Sequence, residues 1–111
     1  MDNDGAIIAL ITASDAAEAQ LLTNALLESR LAACVNTISG ISSRYWWRDK
    51  LEDSSETLLM VKSRAGLLKA IVKRVKELHS YEVPEVIALP VAGGNEDYLD
   101  WLRQETKRKA D

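Results

Sequence analysis

The sequence predicts an α+β fold: a ferredoxin-like βαββαβ sandwich with a four-stranded antiparallel sheet, a long central hairpin and an extra C-terminal helix. Three observations predict it. Short apolar runs alternate with two segments of helical period. One long extended stretch lies between those segments, and a last helical segment follows a glycine turn. With 111 residues, the chain is expected to form a single domain, 1–111.

The first strand and the first helix each carry a local signal. The run AIIALIT, residues 6–12, is rich in β-branched residues and bounded by turn residues, which is typical of a strand buried on both faces. A helix is expected to follow, because Ser14 or Asp15 can cap its first amides. Glu18 lies three positions after Asp15, as in a capping box.

The central hairpin is predicted from a change of pattern. Residues 33–47 lose the helical period and read as an extended strand, in which Gly40 indicates a bulge or bend. The sequence RDKLEDSS, residues 48–55, is expected to be a polar loop. Residues 56–63, ETLLMVKS, are then the returning strand.

The remaining elements are a second helix, a last strand and the final helix. Residues 64–79 have a basic face and an apolar face, as in an amphipathic helix. Residues 85–91 are the last strand, and Pro90 belongs at its end or on a sheet edge because proline has no N–H to donate. Asn95 is the expected N-cap of the final helix, which has basic residues near its end.

The hairpin predicts self-association. A strand of about fifteen residues opposite one of about eight leaves roughly 20 Å of ribbon without a sheet partner. That overhang carries Tyr45, Trp46 and Trp47, whose alternation places aromatic rings on both faces. A homo-oligomer would cover them. The alternative is that they fold back onto the final helix and meet Tyr98 and Trp101 there.

Composition and charge exclude several classes of protein. With 47% hydrophobic and 28% charged residues, the chain resembles an ordinary globular protein. It has no run of about 18 apolar residues, so no membrane span is expected. A net charge of −3 disfavours nucleic acid as a partner, and the basic helix face is expected to be solvated. The single Cys34 cannot form an internal disulfide and suits a reducing compartment, so the protein is expected to be cytoplasmic.

The segment LHSYEVPEV, residues 78–86, holds the only histidine, and two interpretations of it stay open. In one, His79 lies in the last turn of a helix, where an imidazolium complements the helix dipole. In the other, His79 binds a divalent metal. Zinc sites take three or four protein ligands, so a site within one subunit would need carboxylates such as Glu77, Glu82 or Glu85. A site between subunits would instead combine several copies of His79, or His79 with Cys34. No phosphate-binding loop or nucleophile motif is present, so no catalytic residue is predicted.

Four ordered segments then resemble one known family. The segments RLAACVNTISGISSRYWWRDKLE, LLMVKSR, LHSYEVPEVIALPV and GNEDYLDWL are similar, in order and spacing, to those of the CutA divalent-cation tolerance proteins, from Ile7 to Leu102. The resemblance implies a ferredoxin-like subunit in a stable homotrimer, joined through long hairpin strands as in the PII signalling proteins. It also implies a response to copper and other divalent metals, no required cofactor and no established enzymatic activity.

The resemblance also implies candidate site residues. The family's metal ligands are a cysteine near the end of the first strand and histidines before the SY pair. Here Ile11 and Leu78 stand at two of those positions, and His79 alone is kept. A PII-like alternative is a signalling protein that binds a small anionic metabolite or a protein partner between subunits. The residues expected to line that cleft are Arg30, Tyr45, Trp47, Lys62, Tyr81, Glu85 and Trp101.

Overall fold

The computed structural model of the protein describes residues 5–107, and it has the α+β fold and the element order that the sequence predicts. The predicted domain bounds of 1–111 include residues outside this range, among them the basic Arg108 and Lys109 at the end of the chain. The elements are β1 (Ala6–Ala13), α1 (Ala16–Glu28), β2 (Cys34–Trp47), β3 (Lys50–Arg64), a short 3-10 turn (Ala65–Leu67), α2 (Leu68–Leu78), β4 (Val86–Pro90) and α3 (Glu96–Glu105).

The four strands form one antiparallel sheet in the order β2-β3-β1-β4. The apolar strand β1 pairs with β3 on one side and with β4 on the other, so its position in the middle of the sheet is as the sequence predicts. Pro90 is the last residue of β4, which is an edge strand. Its missing N–H therefore costs no hydrogen bond in the interior of the sheet.

Helices α1 and α2 cover one face of the sheet. Because side chains alternate along a strand, every second residue of β1 and β3 points towards these helices. Each fully buried leucine, isoleucine or valine contributes about 1.5–3 kcal/mol relative to exposure. The core residues on this face are Ala9, Ile11, Ala13, Leu59 and Val61 of the sheet, and Leu22, Leu26, Ile71 and Val75 of the helices.

Helix α3 packs on the opposite face, near one end of the sheet. Its N-cap is Asn95, whose side chain accepts the backbone N–H of Asp97 at 3.0 Å, as the sequence predicts. Leu99 and Leu102 of this helix are buried against Ala6. Side chains alternate between the two faces of a strand, so Ala6 points to the face opposite the β1 residues that pack against α1 and α2. Helix α3 therefore lies on that opposite face of the sheet.

The hairpin differs from the sequence prediction at its returning strand. Residues 50–55 are not a loop: β3 begins at Lys50, directly after a tight turn at Arg48 and Asp49. Both turn residues have positive φ, of 51° and 65°, and such angles match the twist of a two-residue hairpin turn. Strand β1 pairs with β3 only from Thr57 onward, so residues 50–56 extend beyond it together with the end of β2. The overhang is therefore a paired ribbon of about 24 Å.

Gly40 lies in an irregularity of β2, as predicted. The pairing of β2 with β3 shifts between Ile38, opposite Leu58, and Ile41, opposite Glu56. Gly40 has a φ of +71°, an angle that residues with a Cβ atom rarely adopt. The bulge sits where the ribbon leaves the four-stranded sheet, and bulges bend and twist the strand that contains them.

Large apolar side chains remain uncovered on the sheet face opposite α1 and α2. Ile87 and Leu89 of β4 and Ile38 of β2 are each about half exposed. On the ribbon, Trp46 is 70% exposed and its cross-strand neighbour Leu51 is 46% exposed. Among residues 5–107, no helix combines the length and the apolar character needed to cross a membrane.

Candidate functional site

The segment His79–Glu85 links α2 to β4, and His79 fastens it to β1. The imidazole is buried; its Nε2 donates to the carbonyl oxygen of Thr12 at 2.7 Å. Its Nδ1 accepts the backbone N–H of Tyr81 at 3.0 Å. Since a carbonyl can only accept, the ring proton is on Nε2 and the imidazole is neutral. The prediction that His79 is a charged imidazolium interacting with the dipole of α2 is therefore wrong. The neutral ring forms hydrogen bonds to strand β1 and to its own loop.

Glu18 of α1 holds the same segment from the other side. Its Oε1 accepts the backbone N–H of Ser14 at 2.9 Å, and its Oε2 accepts the backbone N–H of Ser80 at 2.8 Å. Burial by itself raises the pKa of Glu18, but the hydrogen bonds from Ser14 and Ser80, with a smaller contribution from His79, outweigh it and lower the pKa to about 2. A helix-capping carboxylate thus also anchors a loop that is distant in sequence.

Tyr81 connects the loop to the hairpin. Its hydroxyl donates to Oε2 of Glu56 at 2.7 Å, and its ring lies 4.7 Å from that of His79, centroid to centroid. Burial raises the pKa of the Tyr81 phenol, and the hydrogen bond and negative charge of Glu56 raise it further. Tyr81 therefore keeps its proton and donates it to a carboxylate that is only 6% exposed.

The loop and the ribbon together enclose a concave space of about 750 Å³, which we call the hairpin groove. One wall is the aromatic end of β2, and the other is the loop after α2. Glu56 lies at the base, where the ribbon joins the sheet. Volumes of this size are typical of small-molecule sites. The lining residues are Thr12, Ser43, Arg44, Tyr45, Trp46, Trp47, Glu56, Ser80, Tyr81, Glu82, Val83 and Glu85.

The structure divides the predicted cleft residues into two groups. Tyr45, Trp47, Tyr81 and Glu85 all line the hairpin groove. The other three, Arg30, Lys62 and Trp101, do not.

These three lie near α3. Arg30 Nη1 is 3.0 Å from Oε1 of Glu105, and Nζ of Lys62 is 5.7 Å from the ring centroid of Tyr98. Tyr98 packs against Trp101, with centroids 5.3 Å apart. The hairpin aromatics therefore do not fold back onto the final helix within the subunit.

The three predicted metal ligands are not gathered into one site within the subunit. Cys34 is level with Ile8 of β1, whereas His79 bonds to Thr12, four residues or about 13 Å farther along that strand. Glu85 lies in the wall of the groove. Within residues 5–107, no three His, Cys, Asp or Glu side chains are placed to hold a metal ion. Ligation by His79, Cys34 and Glu85 stays a prediction, and it requires a neighbouring subunit.

Two parts of this site are not predicted from the sequence. From the sequence, Glu18 is recognisable only as a helix cap, because a capping pattern spans a few residues whereas the contact of Glu18 with Ser80 spans 62. Glu56 reads only as the first residue of a strand. Its burial depends on Tyr81, which is 25 residues away. No motif in the sequence indicates either contact.

Comparisons with known proteins identify the family. A sequence model described as CutA1 divalent ion tolerance protein matches residues 7–105. The divalent-cation tolerance protein CutA of Thermus thermophilus is 46% identical over 99 residues, which are 89% of this chain and 96% of that protein. Protein CutA of Homo sapiens is 46% identical over 103 residues, which are 93% of this chain and 58% of that protein. Protein CutA 1, chloroplastic, of Oryza sativa is 44% identical over 101 residues, 91% of this chain. The chain spans 57% of that rice protein.

Solved structures agree with the observed fold. The crystal structure of CutA1 from Oryza sativa superimposes with a TM-score of 0.90 at 43% identity and covers 93% of this chain and 94% of its own. The divalent cation tolerance protein from Thermus thermophilus also has a TM-score of 0.90, at 44% identity, over 92% of this chain and 99% of its own. Because the family match and the related structures extend over nearly the whole chain, the protein belongs to the CutA1 divalent ion tolerance family.

Proposed function

We propose that this protein acts in the response to divalent metal ions as a homotrimer. The observation that supports self-association is the uncovered apolar surface: the open sheet face with Ile87 and Leu89, and a ribbon whose Trp46 is 70% exposed. The stoichiometry of three rests on the family resemblance. Large apolar side chains left exposed on a sheet face and on a ribbon indicate an association surface. The metal role is supported by family membership, since relatives are named divalent-cation tolerance proteins.

Sedimentation equilibrium tests the assembly. The subunit mass is 12.3 kDa, so a trimer has three times that mass, about 37 kDa. We expect Leu89→Glu, on the open sheet face, to lower the mass because it places a charge in the proposed contact. Leu21→Glu is the matched control, because Leu21 is exposed to a similar degree but lies on α1. A wild-type mass of 12.3 kDa at micromolar concentration would contradict the proposal.

Metal binding is proposed to involve His79 and a neighbouring subunit, with Cys34 or Glu85 as further ligands and copper as the candidate ion. The hydrogen bonds of the His79 ring determine what must change before a metal can bind. Nε2 of His79 is occupied by its own proton, and Nδ1 accepts the N–H of Tyr81. A metal would have to displace Tyr81 from Nδ1, which moves the loop. Copper and zinc uptake should therefore be accompanied by a shift of the Tyr81 amide resonance.

The decisive comparison is metal uptake by wild type, His79→Gln, Cys34→Ser and Glu85→Gln, measured by calorimetry and by metal analysis after dialysis. Glutamine can still donate to the Thr12 carbonyl, so the loop keeps one of its anchors. We expect His79→Gln to bind less copper. Equal uptake by wild type and all three variants would exclude these residues as ligands.

The hairpin groove supports a second function, that of a small-molecule binding protein of the PII type. Its volume of about 750 Å³ suits a metabolite. The version with an anionic metabolite depends on Lys62, which lies near Tyr98 and outside the groove. The predicted cleft lies between subunits, so a thermal-shift screen of anionic metabolites with the native assembly tests this version, with Lys62→Ala as the control. A shift abolished by Lys62→Ala would support it, and no shift of wild type at millimolar metabolite would contradict it.

We also propose that the protein works in the cytoplasm without catalysing a reaction. The free thiol of Cys34 supports a reducing compartment. Relatives are described both as chloroplastic and as periplasmic, so cell fractionation is the appropriate test. Recovery of the protein outside the cytoplasmic fraction would contradict this assignment.

A further inference from the structure

We infer that the hairpin groove binds a small organic cation, held by aromatic rings and by the carboxylate of Glu56. This goes beyond the proposed metal response and depends neither on metal binding nor on His79. It rests on the state of one buried carboxylate, on the charges that line the groove and on the chemistry of its walls.

Glu56 has a largely buried carboxyl group that forms no ion pair with a described residue. The residue is 6% exposed and lines the groove. Its Oε2 accepts the hydroxyl of Tyr81, but no residue in the range 5–107 donates to its Oε1 or forms an ion pair with it. A buried carboxylate is costly unless it is paired and fully hydrogen-bonded. Oε1 of Glu56 is not among the fully buried polar atoms that lack a partner, so it is open to the groove, where it can accept a hydrogen bond from a positively charged donor.

The remaining charges of the groove also favour a cation. Three glutamates and one arginine line it. The arginine, Arg44, faces Asp53 at 3.8 Å, and Glu82 is paired with Arg48 at 3.0 Å. Glu56 and Glu85 form no ion pair with a described residue. The lining thus has a surplus of negative charge, which attracts cations and repels anionic metabolites.

The walls select an organic cation over a metal ion. Tyr45, Trp47 and Tyr81 supply aromatic rings, whose faces attract an ammonium or guanidinium group. The ring of Trp47 already has a guanidinium 5.4 Å from its centroid, that of Arg48. Aromatic faces do not ligate divalent metals, and no three of the described acidic, His or Cys side chains are placed to do so. A protonated amine on an aromatic or aliphatic body matches both the walls and the base.

The test is a titration of the full-length protein in its native assembly with benzylammonium, benzyl alcohol and benzoate. The three probes share a ring and differ in charge. Binding is followed by calorimetry and by the indole N–H resonance of Trp47. We expect benzylammonium alone to bind with a shift of that resonance, and added salt to weaken it. Glu56→Gln should weaken it about tenfold, since it removes a charge-assisted hydrogen bond. Glu28→Gln, at an exposed position of α1, should leave it unchanged.

Glu85→Gln provides a second variant in case Glu56→Gln fails to fold, because Glu85 is exposed and has no structural hydrogen bond among the described residues. It should weaken benzylammonium binding by a smaller factor. Equal binding of the alcohol or benzoate would overturn the inference. So would benzylammonium binding that is unaffected by both variants. A fall in the assembly's mass in Glu56→Gln, with no probe bound by wild type, would assign the groove to a neighbouring subunit and also overturn it.

Discussion

Replacing Glu18 with glutamine tests how the loop after α2 is held in place. The carboxylate accepts backbone N–H groups of Ser14 and Ser80, and glutamine retains only one acceptor oxygen. A pKa of about 2 in place of the ordinary 4.5 corresponds to about 3 kcal/mol of stability. Because a neutral His79 adds less attraction than a charged one, and because water screens the edge of the network, we expect a loss of about 2 kcal/mol at pH 7.

The dependence on pH distinguishes charge from packing. The pKa of Glu18 is lowered by folding, so its contribution is complete above about 4.5 and is lost as the pH falls towards 2. The assay is guanidinium unfolding of wild type and Glu18→Gln at one protein concentration, between pH 7 and pH 2. The difference between their free energies of unfolding should be about 2 kcal/mol at pH 7 and should approach zero near pH 2.

Glu28→Gln is the control for this experiment, since Glu28 is an exposed glutamate on the same helix. Its free energy of unfolding should equal that of wild type at every pH. Equal stability of Glu18→Gln and wild type at pH 7 would refute the role of the carboxylate. A difference that stays constant down to pH 2 would show that the shape of the side chain matters and its charge does not.

Three further substitutions probe the hairpin, the groove and the core. Asp49→Gly should raise the free energy of unfolding by about 1 kcal/mol, since Asp49 has a φ of 65° in a two-residue turn; an unchanged denaturation midpoint would contradict this. Tyr81→Phe should cost about 1–3 kcal/mol, because it leaves the buried carboxylate of Glu56 without its donor, and the loss should disappear in the double variant with Glu56→Leu. Leu59→Ala should cost about 2–5 kcal/mol in the same assay, because Leu59 is fully buried beneath the helices, and a smaller loss would indicate that the core collapses into the cavity.

The returning strand of the hairpin shows why a sequence prediction can fail locally. Residues 50–55, KLEDSS, are mostly polar and lack the alternation of a half-buried strand. They are a strand because β2 pairs with them residue by residue, although both faces of the ribbon are exposed within the subunit. Apolar and polar residues alternate along a strand when one of its faces is buried, and neither face of this ribbon is buried by its own chain. The overhang itself was still predicted correctly, since the length of β2 and its three consecutive aromatic residues require one.

The candidate site was also predicted only in part. Tyr45, Trp47, Tyr81 and Glu85 could be grouped from the family resemblance, and the structure places all four around one groove. The other cleft residues, such as Lys62, lie at the α3 end of the sheet. A sequence motif shows which residues recur in a family but not how far apart they lie. The distances depend on strand register and on the face to which each side chain points.

By itself, the sequence determined the order of the elements, the buried central strand, the N-cap of α3 and the bulge at Gly40. Each of these follows from interactions between residues close together in the chain. The tertiary structure alone decided the state of His79, whose ring is neutral because Thr12 and Tyr81 occupy its two nitrogens. It also decided that Glu56 is a buried carboxylate with a free oxygen. Both outcomes depend on contacts between residues brought together by folding, and a pattern of neighbouring residues holds no information on such contacts.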